Sequence, residues 1–129
     1  MGGFEAFDGQ KYLNLETFRK TGKGVRTPVW FAAGPGTSPA ATLYVYSTGN
    51  SGKAKRIRRD GAVRIAPCNA RGTTSGDWID ARAVIVGPEE FDRAMPLLNR
   101  KYWPWKQVFD LLVRFRPGAT RIMIAIRSA

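Results

Sequence analysis

Histidine is absent from the 129 residues, and cysteine occurs once, at Cys68. A lone thiol excludes an internal disulfide and a thiolate zinc cage. Without histidine, neither Ser-His-Asp nor Cys-His nucleophilic catalysis is available. The commonest metal ligand is missing too, so no metal site is expected. Acidic residues are few, 10 Asp and Glu against 21 Lys and Arg, which leaves a net charge of +11. No apolar run approaches the ~20 residues that a helix needs to cross a bilayer. A free thiol and the lack of a secretory leader lead us to expect a cytoplasmic protein.

What is present suits a folded chain. Hydrophobic residues make up 43% and aromatics 12%, too apolar for disorder. The length fits one domain over residues 1–129. The positive charge is concentrated in the second part. Residues 51–129 carry sixteen Lys and Arg against seven acids, while residues 1–50 carry five against three. The densest run is Lys53, Lys55, Arg56, Arg58 and Arg59. Such a field attracts a phosphorylated cofactor, nucleic acid or a lipid surface. A solubilising surface is the ordinary reading of a charge run.

Periodicity predicts the elements. Phe4 to Lys11 forms a short helical segment. Tyr12–Phe18 and Val25–Phe31 alternate around Thr21-Gly22-Lys23-Gly24 and make a β-hairpin. Pro28 falls inside the second run. It has no ladder N–H, so an edge, a bulge or a break is expected there. Ala41–Ser47 is a strand with Leu43 and Val45 inward and Tyr44 and Tyr46 outward. Ser51–Arg59 is a short helix with Ser51 as N-cap, ended by Asp60-Gly61. Ala62–Cys68 and Trp78–Val86 are strands. Pro88 opens a helix that reaches about Tyr102, with acids at its positive end. A second helix follows Pro104, with Val108, Leu111, Leu112 and Phe115 at helical spacing. Thr120–Arg127 is the last strand. Six strands with late helices predict a small, mostly antiparallel barrel.

The informative unit is Leu43–Thr48, then Ser51–Arg59, then Val63–Pro67. A helix N-terminus offers unpaired N–H groups and a positive dipole end. Ser51 adds a hydroxyl, Gly52 permits close approach, and Lys53, Lys55 and Arg56 add charge. Together these suit a phosphate. The G-x-x-x-x-G-K spacing of a P-loop is absent. On these residues alone, a basic surface helix competes with a phosphate site.

The segments Tyr12–Lys20, Thr27-Pro28-Val29-Trp30-Phe31-Ala32, Leu43-Tyr44-Val45, Ser51–Asp60 and Val63–Cys68 resemble the pyridoxamine-5′-phosphate-oxidase-like split-barrel superfamily. The nearest resemblance is to its branch of F420-dependent enzymes. The likeness covers residues 10–88 and loosens beyond. It implies a mainly β fold, a six-stranded antiparallel split β-barrel with short peripheral helices. It also implies a homodimer with a cofactor between subunits, coenzyme F420 or alternatively FMN. Lys53, Lys55 and Arg56, with Ser51 and Gly52, would then hold the cofactor phosphate. Thr27, Pro28, Val29 and Trp30 would line its ring region. Tyr46, Ser47 and Thr48 would meet its polar tail or ring edge. Trp78 would reach the site from the partner subunit. The prolines of 34–40 and the aromatic-rich segment 88–115 depart from the pattern.

The implied activity is hydride transfer between reduced F420 and an unsaturated small-molecule substrate. The cofactor carries the chemistry and the protein orients it. No catalytic side chain is identified. Tyr46 is a candidate proton donor, although a buried barrel tyrosine is its ordinary role. Arg58 and Arg59 are candidates for the anionic cofactor tail. Cys68 reads as a buried strand residue. Tyr102, Trp103 and Trp105 suit a substrate wall, a dimer interface or helix packing. Asp77 and Asp80 read as turn and strand-face residues. A non-enzymatic cofactor carrier or a basic nucleic-acid binder remains the alternative from another class. The compact basic helix, poor in aromatics, speaks against nucleic acid.

Overall fold

The computed structural model describes residues 4–35, 41–49, 51–104 and 121–129. Six strands carry the fold: β1 (Tyr12–Phe18), β2 (Gly24–Ala33), β3 (Thr42–Thr48), β4 (Ala62–Cys68), β5 (Ile79–Ile85) and β6 (Arg121–Ser128). Among the described residues two helices join them, α1 (Gly52–Arg59) and α2 (Pro88–Lys101), after a 3-10 turn at Glu5–Phe7. The strands close into a barrel in the order β1-β2-β3-β6-β5-β4, with every pair antiparallel. This is the expected six-stranded antiparallel barrel. The helix expected after Pro104 lies outside the described residues.

Alternation builds the interior. Leu13, Leu15, Val29, Phe31, Leu43, Val45, Val63, Ile65, Ala81, Ala83, Ile124 and Ile126 form one buried cluster, each on the inward phase of its strand. Opposite ends are closed by different elements. Phe4 and Phe7 join the core near the start of β1, and Phe7 meets Phe31 edge-on at 6.0 Å. At the other end Ile57 of α1 enters the same cluster. There Arg56 Nε donates to Thr17 Oγ1 at 2.6 Å, and Arg59 donates to the Phe18 carbonyl.

A second apolar layer lies outside the barrel. Ala94 and Leu98 of α2, with Tyr102 at its C-cap, pack on Ala32, Tyr46 and Met123. The tyrosines of β3 face outward, as their phase requires. Tyr44 donates to Glu90 Oε2 at 2.7 Å, and Arg127 reaches the same oxygen at 2.7 Å. Pro96 lies inside α2. The packed Ala94–Leu98 face holds the helix across the backbone bond that proline cannot make.

The hairpin turn takes the predicted place. Gly22 adopts φ +88°, and Arg19 N–H donates to the Lys23 carbonyl at 2.9 Å. Pro28 does not break β2: it faces Asn14 in the β1 ladder. On its other side β2 meets β3 only at Phe31, Ala32 and Ala33. The first part of β2, up to Val29, therefore lies beyond the β2–β3 ladder. The edge expected at Pro28 is real, and it belongs to one side of the strand only.

Candidate functional site

Where β2 and β3 part, a cleft of about 340 Å³ opens. Its position follows from the register. The β2–β3 ladder spans Phe31↔Val45 to Ala33↔Leu43, so Trp30 and its predecessors diverge from Tyr46 and its successors. Pro28, Val29 and Trp30 form one side, Tyr46, Ser47 and Thr48 the other, and Lys53 of α1 stands between. These are seven of the residues singled out from sequence. Tyr12 and Ala70 complete the lining. Neither was legible locally, because Tyr12 reaches the cleft through its pairing with Trp30 and Ala70 through the β1–β4 ladder.

The remaining candidates are placed differently. Thr27 precedes the lining run of β2 and does not line the cleft. Lys55 is exposed on the outer side of its helix. Ser51 is the N-cap, its hydroxyl accepting from Ala54 N–H at 3.2 Å and lying 3.5 Å from Ser47 Oγ. Gly52 has a specific reason. A Cβ there would stand 2.8 Å from an Arg56 guanidinium nitrogen. Arg56 thus folds back across the first turn of α1 while bonding Thr17. Trp78 is half-buried under Arg26, whose guanidinium carbon sits 4.4 Å from the ring centroid, and it does not line the cleft of its own chain.

The electrostatics of this corner are one-sided. Burial strips water from the Lys53 ammonium and holds its pKa below the usual lysine value, and the Arg56 charge lowers it further. Arg56 is itself lowered, first by burial and then by Arg19. Lys53, Arg56 and Arg19 therefore repel in series, and none forms an ion pair with a carboxylate among the described residues. Arg19 was not a sequence candidate. It comes into play because the hairpin turn folds against α1. Lys53 in the first turn of α1, with Arg56 folded back over Gly52 and Arg19 behind it, suits an oxyanion.

The cleft wall is braced from behind. The Trp30 ring stacks on Tyr102 at 4.9 Å and 15°. The Tyr102 hydroxyl accepts from Phe31 N–H at 3.0 Å and lies within bonding range of the Lys11 and Phe31 carbonyls. Lys101 Nζ donates to the Phe31 carbonyl at 2.8 Å. The one hydroxyl proton is shared between the Lys11 and Phe31 carbonyls, and the Phe31 carbonyl has the Lys101 donor besides. Burial raises the Tyr102 pKa. Lys101 keeps an exposed stem, but its head lies 3.6 Å from the Phe31 ring centroid, and desolvation brings its pKa down to about 8. Of the uses open to Tyr102 in the sequence, helix packing against the cleft wall is the one seen. Trp103 is 71% exposed, and Trp105 lies outside the described residues.

Other candidates keep their ordinary roles. Cys68 is buried, and burial raises its thiol pKa, which disfavours the thiolate. Asp80 lies on a strand face, 3.5 Å from Arg64 Nε. Arg58 donates to the Gly49 carbonyl at 2.9 Å. No group of three or more Cys, Asp and Glu among the described residues could hold a metal ion. No helix among them is long and apolar enough to cross a membrane.

No protein-family profile matches the chain, and no curated protein matches it. Solved structures do. HutZ, the heme storage protein from Vibrio cholerae, is 14% identical with a TM-score of 0.70, the alignment covering 97% of this chain and 86% of HutZ. A structure described as an F420 reductase is 20% identical with a TM-score of 0.60, covering 100% and 94%. A relative of general stress protein 26, of the pyridoxinephosphate oxidase family, from Clostridium acetobutylicum is 8% identical with a TM-score of 0.64, covering 96% and 79%. The chain also spans about half, 48%, of a protein of unknown function from Agrobacterium tumefaciens. At these identities the likeness is one of fold.

Proposed function

We propose, from a split barrel of the pyridoxamine-5′-phosphate-oxidase type with a cationic cleft between β2 and β3, that this protein is a flavin- or deazaflavin-dependent oxidoreductase. Coenzyme F420 is the preferred cofactor. The carrying observation is the unbalanced set Lys53, Arg56 and Arg19 at the end of a cleft walled by Tyr12, Pro28 and Trp30. An aromatic ring system with a phosphate at one end fits that combination. The volume of about 340 Å³ is at the small end of the roughly 300–1,000 Å³ range of ligand clefts. A second copy of the chain completing the cleft is therefore part of the reading, and Trp78 is the residue assigned to cross from it. The reading places the protein in the cytoplasm, where such a cofactor is available.

The bound cofactor would supply hydride transfer to an unsaturated small molecule. The chain's own residues have simpler tasks. Lys53, with Arg56 and Arg19 behind it, neutralises the phosphate. Its lowered pKa reverses when an anion restores the interactions it lost with water. Gly52, with no Cβ, makes room for the Arg56 guanidinium over the first turn of α1, where it and the Ser51 hydroxyl meet the phosphate oxygens. Trp30 and Pro28 flank the ring and exclude water from its face. Tyr46, Ser47 and Thr48 offer hydroxyls along the other side. Lys55, exposed, contributes at longer range.

FMN is the second reading, because the cation set meets a phosphate whichever ring carries it. Titrating the protein with F420 and with FMN, read by tryptophan quenching, separates the two. Saturable F420 binding, weakened at least tenfold in Lys53→Ala, is the expected result. FMN binding alone moves the assignment to the second reading. Binding of neither, or binding indifferent to Lys53, overturns the proposal. Sedimentation with and without cofactor tests the homodimer.

A further inference from the structure

A second hollow, of about 480 Å³, lies beside α1 on the outer face of β5 and β6 and shares no lining residue with the cleft. Its floor is apolar around Val84, which is 50% exposed. Three arginines line it, Arg58, Arg82 and Arg127, and no acid does. Arg82 and Arg127 stand directly opposite each other in the β5–β6 register. Like charges in that position destabilise a sheet.

The structure relieves only part of this. Arg127 turns to Glu90 at 2.7 Å. Arg58 gives one N–H to the Gly49 carbonyl, which leaves its charge unbalanced. Arg82 lies toward Gly61, where a Cβ would sit 3.5 Å from its Nη2. It forms no ion pair among the described residues. The nearest acid on its own strand face, Asp80, is 3.5 Å from Arg64. The two guanidiniums of the opposed pair thus part to either side, and the apolar floor lies open between them.

We propose that this hollow binds a small organic carboxylate with two or more acid groups on an apolar skeleton. Guanidinium forks match carboxylates in two-point fashion and are weakly hydrated. Two carboxylates, one beside Arg82 and one beside Arg58, balance the two unpaired charges. The skeleton covers Val84, which inorganic phosphate would leave wet. The volume falls in the ordinary range for small-ligand sites of roughly 300–1,000 Å³. The site is separate from the β2–β3 cleft and does not depend on the cofactor assigned there.

Phthalate is a suitable probe, a rigid aromatic dicarboxylate, with inorganic phosphate and chloride at matched ionic strength as controls. Phthalate is expected to raise the thermal midpoint beyond either control and to bind saturably by calorimetry. Arg82→Gln is expected to weaken it at least tenfold, while Lys53→Gln and the exposed Lys55→Gln stay within twofold. Val84→Asp, which places an acid in the floor and leaves every arginine in place, is expected to abolish binding and guards against misfolding of the first variant. Equal binding in Arg82→Gln and the parent overturns the proposal. So does loss in Lys53→Gln, which assigns the anion to the cleft, or phosphate matching phthalate, which leaves the apolar floor without a role.

Discussion

Replacing Tyr102 by Phe removes one oxygen atom and isolates its work. The β1–β2 ladder ends at Tyr12↔Trp30, so the N–H of Phe31 has no partner on β1. The Tyr102 hydroxyl takes its place at 3.0 Å, in a position where Phe31 is 1% exposed. In the variant that N–H is buried without an acceptor, at about 1–3 kcal/mol. The Lys11 carbonyl belongs to an exposed residue and turns to water, adding little. The Phe31 carbonyl keeps Lys101. The Trp30 stack, at 4.9 Å and 15°, needs only the ring and survives. With a urea slope of about 2 kcal/mol/M, the unfolding midpoint should fall by roughly 0.5–1.5 M. The near-ultraviolet dichroism of the tryptophans should stay unchanged. Tyr102→Leu loses the stack as well, worth about 0.5–1.5 kcal/mol more, and should alter that spectrum. A Tyr102→Phe variant with the parent's midpoint would refute the hydrogen-bond assignment. A changed tryptophan spectrum in Tyr102→Phe would refute the division between hydroxyl and ring.

Other substitutions test separate parts of the structure. A Cβ at Gly61 would meet the backbone oxygen of Ala83 at 2.7 Å, whereas one at Gly87 meets nothing within 4 Å. Gly61→Ala should therefore cost about 1–3 kcal/mol by overpacking, and Gly87→Ala should be near neutral in the same denaturation assay. Leu98 is fully buried between α2 and the barrel, so Leu98→Ala should lose about 2–5 kcal/mol and release α2 to amide exchange. Lys101 sits near pH 8 folded and near 10.5 unfolded. Between those values the unfolded chain holds more protons, so stability should rise with pH. Above about pH 10 the raised Tyr102 and Tyr44 reverse the slope, because their unfolded forms ionise first. Lys101→Met should flatten the rising limb, leaving the smaller share from Lys53. An unaltered pH–stability curve counts against the desolvated ammonium.

The legible parts of the fold were those written at short range. Two-residue alternation marked all six strands within a residue or two of their ends. Ser51 and Asp60-Gly61 marked α1, because caps are local chemistry. The site was legible where one strand or one turn supplies it: Pro28, Val29, Trp30, Tyr46, Ser47, Thr48 and Lys53. It was not legible where separate segments converge. Tyr12 and Ala70 enter only through the β1–β2 and β1–β4 ladders. Arg19 counts only once its turn meets α1. Spacing alone also could not tell that Arg56 would curl over Gly52 to Thr17 while Lys55, two residues after Lys53, would face solvent.

The strand order carries a consequence for synthesis. β6, which follows the other five barrel strands in the chain, is inserted between β3 and β5. While the ribosome is still translating residue 120, β3 and β5 each present an unpaired ladder edge, and Ile65, Leu43 and Val45 face an open trough. Every preceding strand can pair early, yet closure waits for contacts that span up to 85 residues, from Thr42 to Arg127, and such distant pairings form slowly. The nascent barrel is thus a sheet with two exposed edges, the form most prone to join a neighbouring chain. Arg82, already on the open β5 edge before β6 arrives, sets a positive charge there that keeps two such edges from meeting readily.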